Sequence, residues 1–208
     1  MEEVEQPMDR IFAALDAELL AYGASGPVSQ AASDEKEARD VAFIRAFLAE
    51  HPADAHLRTQ LLGHLTGSGF VLDHARERVL LLHHARLRRW LQPGGHGEGE
   101  TEPRLIALRE IEEETGLGPS DLIPFPDARL LDVDVHGIPA RPGEPAHLHL
   151  DLRYGFVARP GAEARLSEES TALRWVSLGE LPGDADASLR RAFRKLDLAV
   201  RAQRSAVL

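Results

Sequence analysis

Ile11, Leu15, Leu19 and Leu20 recur at helical spacing and predict a helix over 8–22. The run GASGPVSQ at 23–30 breaks it. A second helix is predicted from Asp34, with Glu37 as its capping-box partner, through Val41, Ile44, Phe47 and Leu48 to His51 and Pro52. From His64 the period shortens: HLTGSGFVLD and RVLLLHH read as two strands around a polar turn at 74–77. Leu105, Leu108 and Ile111 then mark the apolar flank of a third helix, which Gly116 stops. Two further strands are predicted in RLLDVDVHGI and HLHLDLRYGFVA, separated by the loop ARPGEP. In the second of these, Leu148, Leu150 and Leu152 lie on one face and His147, His149 and Asp151 on the other. RLSEESTALRWVSLGEL supplies an acidic loop, a short strand and a turn. Leu189, Phe193, Leu196 and Val200 form the stripe of a last helix from Ser188. The order of helices and strands is that of a layered α/β domain.

Length and composition narrow the class. The 208 residues suit one domain plus an extension, divided here into an N-terminal helical extension at 1–58 and a main domain at 59–208. The longest purely aliphatic run, from Val79 to Leu82, is far short of the roughly 20 apolar residues of a membrane span. The acidic start, MEEVEQPMDR, lacks the apolar core of a signal peptide, so a cytoplasmic protein without a membrane partner is expected. Absence of cysteine excludes disulfides, thiolate catalysis and cysteine-ligated zinc. A net charge of −10 argues against a general nucleic-acid binder, and is compatible with a small phosphorylated substrate escorted by a metal ion.

The chemistry concentrates between Gly94 and Leu117, in GGHGEGETEPRLIALREIEEETGL. Helical spacing puts Glu110, Glu113 and Glu114 on one face, in the last turn before Gly116, where the helix dipole already disfavours anions. A divalent cation, Mg2+ or Mn2+, resolves that crowding because hard cations seek oxygen ligands. The charge run taken alone favours a solvated acidic face.

Together with the glycine pair and Arg109, the stretch resembles the signature of the Nudix hydrolases, G-x5-E-x7-R-E-U-x-E-E-x-G-U with U apolar. Gly95, Arg109, Glu110, Ile111, Glu113, Glu114, Gly116 and Leu117 match, and Thr101 stands in the slot of the first glutamate. Thr101, before Glu102 and Pro103, is expected to serve as helix N-cap instead, with Glu98 or Glu100 as the substitute acid from the loop. The resemblance implies an α/β/α sandwich with a mixed sheet. It further implies a metal-dependent pyrophosphohydrolase cleaving a nucleoside diphosphate linked to another moiety. In that reading Glu110, Glu113, Glu114 and the Gly94 carbonyl hold the metal, Arg109 holds a signature glutamate, and Glu113, Glu114 and an acid outside the box, Glu168 or Glu169, serve catalysis. The cysteine-dependent isopentenyl diphosphate isomerases of the same superfamily are disfavoured, since there is no cysteine. A Nudix-like nucleotide-binding or regulatory module that has lost hydrolysis is the alternative, motivated by Thr101.

Beyond the signature, Arg141, Arg153, His147 and His149 are candidates for substrate contact. His147, His149 and Asp151 on one strand face also form a possible transition-metal set. Trp90 is expected in the core or at its rim, with base stacking as the functional alternative. A homodimer is the prior for assembly.

Overall fold

The structure, a computed structural model, describes residues 7–24, 35–168 and 170–206. Helices α1 (Pro7–Ala24) and α2 (Glu35–Glu50) precede strands β1 (Gly63–Leu72), β2 (Arg78–His84), β3 (Trp90–Leu91) and β4 (Gly94–His96). Then come α3 (Pro103–Thr115), a single 3-10 turn (Pro119–Asp121), β5 (Leu122–Ile138), β6 (His147–Ala158), β7 (Ser170–Ser177) and α4 (Ala187–Ala206). The strands form one mixed sheet in the order β3-β2-β1-β6-β5, with β4 added to β1 and β7 to β2. The β1–β6 pair is parallel and the others are antiparallel. Helices cover both faces, as expected for an α/β/α sandwich. The Asp34 expected to cap α2 lies outside the described residues.

Strand alternation on β1 sorts the two layers. Leu65, Gly67, Gly69 and Val71 face α3, whereas Thr66, Ser68, Phe70 and Leu72 face α4, where Phe70 meets Phe193 edge-on. Gly67 and Gly69 set the distance between helix and sheet. A Cβ on Gly67 would collide with the Pro103 carbonyl and sit 2.8 Å from Ile106 Cβ, and one on Gly69 would sit 2.9 Å from Ile111 Cγ1. The buried stripe of α3 is therefore Pro103, Ile106, Ala107 and Ile111, and Leu105 is exposed. This corrects the expected flank of Leu105, Leu108 and Ile111: small residues and glycines in register, rather than the leucines, decide which face docks. On α4 the expected stripe of Leu189, Phe193, Leu196 and Val200 is buried.

The front helices belong to the same core. Phe12, Leu15, Leu19, Ile44, Phe47 and Leu48 pack in one cluster with Leu65, Val71, Ala107 and Ile111. They also close the sheet edge at β5. The Leu130 N–H donates to Glu18 Oε1 at 3.2 Å, the Val133 N–H to Glu37 Oε1 at 3.2 Å and the Val135 N–H to Asp40 Oδ2 at 3.0 Å. The Leu131 carbonyl accepts from Tyr22, the Val133 carbonyl from Arg191 and the Val135 carbonyl from Lys36. Side chains thus occupy a row of backbone groups that an open edge would offer to another chain.

Behind that edge lies a buried ionic network. Arg191 donates to Asp132 at 2.8 and 3.0 Å, Lys195 contacts Glu37 and Asp132, and Arg153 binds Asp151, Asp132 and Asp134 at 2.7, 3.2 and 3.2 Å. Arg153, expected to grip substrate phosphate, is 4% exposed with Nε, Nη1 and Nη2 all engaged. Its alternation on β6 is polar because it faces this network across the sheet, so the expectation is corrected. Burial alone would raise the carboxyl of Asp134, but His136, Arg153 and Lys36 outweigh it and hold the group well below the usual carboxylate range.

Candidate active site

The signature residues meet where α3 crosses β4. Pro103 sits at the first helical position, and Gly116 ends the helix in the left-handed conformation (φ 71°) with its N–H on the Glu112 carbonyl at 2.8 Å. The N-cap is Glu102, without a side-chain cap bond, which corrects the expectation for Thr101. Glu100 takes over locally, its Oε1 accepting from the backbone N–H groups of Thr101 and Glu102 at 2.6 and 2.9 Å.

Antiparallel pairing with β1 places Gly94 opposite Ser68, Gly95 opposite Gly67 and His96 opposite Thr66. Gly95 consequently points toward α3. A Cβ there would lie 2.6–2.7 Å from the carboxylate atoms of Glu110, so the missing side chain makes the space that this carboxylate fills. The Gly94 N–H donates to Glu114 Oε2 at 2.9 Å. Arg109 donates to Glu110 Oε1 at 2.9 Å, to Glu98 Oε2 at 3.1 Å and to Glu113 Oε1 at 3.5 Å, and also binds the His96 carbonyl. One guanidinium thus ties the loop to the acids of the helix. Of the three box acids, Glu113 is the exposed one.

This donor set fits a hard divalent cation. Its ligands are carboxylate oxygens on one helix face, Glu110 and Glu114 are already turned onto the glycine strand, and Glu98 brings a further acid beside them. Glu98 rather than Glu100 is therefore the loop acid next to the box.

The other candidates lie elsewhere. Arg141 sits in the turn between β5 and β6, paired through its backbone with Glu144. Glu168 is exposed in the loop before β7, and Glu169 is outside the described residues. Trp90 packs at the rim of the α4-side core, with the Arg174 guanidinium 4.7 Å from its ring centroid. Asp151 is separated from the histidines of its strand face by its partners: Ser68 Oγ donates to it at 2.8 Å, Thr66 Oγ1 at 3.2 Å and Arg153 Nε at 2.7 Å. The expected set of His147, His149 and Asp151 is thus corrected. His147 and His149 instead join His64 and His96, two residues that the strand patterns did not single out. Cross-strand register brings them together, with His64 opposite His149 and His96 two positions further along β1, and nothing in the local sequence announces that register. Burial first, then the neighbouring imidazoles, lowers His64 to about 4 and His149 to about 2.

Known proteins share the fold. The NUDIX domain family matches residues 63–196, and the chain belongs to that family. A curated relative, the "Probable DHNTP pyrophosphohydrolase" of Lactococcus lactis subsp. cremoris (strain MG1363), is 29% identical over 112 residues. That alignment covers 54% of this chain and 65% of the relative, less than two thirds of its length. Among solved structures, a C. elegans Ap4A hydrolase binary complex superposes with a TM-score of 0.53 at 18% identity, over 67% of this chain and 98% of that one, a likeness of fold.

Proposed function

We propose that the protein is a Mg2+- or Mn2+-dependent pyrophosphohydrolase that cleaves the diphosphate bond of a small nucleoside diphosphate derivative. The observation that carries this is the gathering of Glu98, Glu110 and Glu113 around Arg109, with Glu114 on the Gly94 N–H. Family membership and the pyrophosphohydrolase name of the Lactococcus relative support it. A bound divalent cation supplies positive charge for the diphosphate and lowers the pKa of water. The protein's own residues do the rest. Arg109 fixes Glu110 and clamps the loop through the His96 carbonyl, the Gly94 N–H fixes Glu114, and Glu113 stays open toward solvent. In the reaction the oxygen of water bonds to phosphorus and the anhydride P–O bond breaks. The released proton passes to a carboxylate, that of Glu113 or Glu114 in the box or of Glu168 or Glu169 outside it.

The test is hydrolysis in Mg2+ of nucleotide sugars, dinucleoside polyphosphates, ADP-ribose, oxidised nucleoside triphosphates and DHNTP, read as the phosphomonoester or pyrophosphate products formed. Glu113→Gln is expected nearly to abolish turnover with an unchanged circular dichroism spectrum, and undiminished turnover defeats the assignment. The second reading, a nucleotide-binding module without hydrolysis, rests on Thr101 in the first glutamate slot. Tight nucleotide binding by the wild-type protein with no product from any compound favours it.

A further inference from the structure

Among the described residues one group of side chains has mutual metal-ligand spacing: His64 on β1, His96 at the end of β4 and His149 on β6. One ring nitrogen from each lies within 4.8 Å of the others, and the three ring centroids stand 4.9–5.1 Å apart, close to an equilateral triangle. His96 Nε2 and His149 Nε2 face each other at 3.2 Å. Two nitrogens on a tetrahedral zinc ion, each at about 2.0–2.1 Å, are about 3.3 Å apart, so this pair is spaced as an edge of that tetrahedron. The ligating nitrogen of His64 lies within 4.8 Å of both.

A second, independent observation points the same way. His64 is 1% exposed, and neither of its ring nitrogens has a hydrogen-bond partner. A neutral imidazole presents one N–H and one lone pair, and leaving such groups buried and unpaired is unfavourable. Next to it His147 donates from Nδ1 to the Pro145 carbonyl at 2.9 Å, which leaves the lone pair on Nε2, and that atom is also buried without a partner. A ring fixed through one nitrogen by a backbone carbonyl, with the other turned inward, is how metal-ligating histidines are oriented.

We propose that His64, His96 and His149 bind one transition-metal ion, with Zn2+ the best match, at a site separate from the carboxylates. The chemistry of the donors disfavours Mg2+: imidazole nitrogens suit Zn2+, Ni2+ and Cu2+, whereas Mg2+ takes oxygen. Such an ion would clip β4 to β1 and β6. Since the His96 carbonyl holds Arg109 and Gly94 precedes it by two residues, the clip would brace the strand against which Glu110 and Glu114 are set. This inference does not depend on what substrate, if any, the carboxylate site turns over.

The test uses the full chain, stripped with a chelator and titrated calorimetrically with Zn2+ in excess Mg2+ so that the carboxylates are saturated. A parallel titration with Co2+ reads the visible absorption of a tetrahedral nitrogen-ligated ion. One equivalent is expected to bind, with a Zn2+-dependent rise in Tm. His149→Gln and, as a second variant, His64→Asn should each weaken binding by more than the roughly 10–100-fold that losing a merely supporting group costs, while keeping the apo-protein's circular dichroism. Glu113→Gln should retain the site. Absence of stoichiometric Zn2+ binding in Mg2+ overturns the proposal. So does binding as tight as wild type in both histidine variants, or loss of the signal in Glu113→Gln.

Discussion

Gly95→Ala isolates the fit between the glycine strand and the first glutamate of the box. The new Cβ would stand 2.6 Å from Cδ and Oε2 and 2.7 Å from Oε1 of Glu110, where ordinary contact begins at 3.4 Å. The carboxylate must therefore retreat by about 0.8 Å. Only the end of a flexible side chain is in the way, so the backbone can remain and Tm should change by no more than about 2 °C. Catalysis has less tolerance. A misplacement of about 1 Å costs on the order of 10²-fold, so kcat/KM should fall about 30–100-fold, or about 2–3 kcal/mol of transition-state stabilisation. The assay is formation of the phosphomonoester products at saturating Mg2+, beside Gly137→Ala, a strand glycine whose added Cβ meets nothing within 4 Å. In a double-mutant cycle, Gly95→Ala added to Glu110→Gln should cost little beyond Glu110→Gln alone, because both act on the same carboxylate. Wild-type kcat/KM for Gly95→Ala, or full additivity in the cycle, refutes the role given to that contact.

Two further predictions concern the buried ionic network. Arg191→Met leaves Asp132, which is 0% exposed, without its bidentate partner. It should cost about 3–5 kcal/mol in urea unfolding, and a loss under 1 kcal/mol would show the network to be dispensable. Asp132 and Asp134 are both held below their unfolded values, in each case by cations or donors that outweigh burial. Their stabilisation is therefore present above the unfolded pKa of about 3.9 and lost as pH falls below it. The urea midpoint should stay nearly level from pH 7 to pH 5 and drop between pH 4 and pH 3, and a midpoint unchanged down to pH 3 would contradict this.

Much of the site was legible in the chain because it is local. Glu110, Glu113 and Glu114 share a face by helical period alone, Gly116 terminates the helix through its own backbone freedom, and the spacing from Gly95 to Leu117 carries the family resemblance. Strand positions such as 147–158 and the stripe of α4 were likewise written in their periodicity. Tertiary structure decided whatever depends on which strand lies beside which. Arg153 reads as a free cation until β5 brings Asp132 and Asp134 to it. Leu105 reads as core until Gly67 and Gly69 admit Ile106 and Ile111 instead. His64, His96 and His149 are scattered over 86 positions until the parallel pairing of β1 with β6 and the addition of β4 stack them. Periodicity reports which face of an element is apolar, but the partner of a polar face is set by sheet register, a long-range choice fixed by the packing of the whole core.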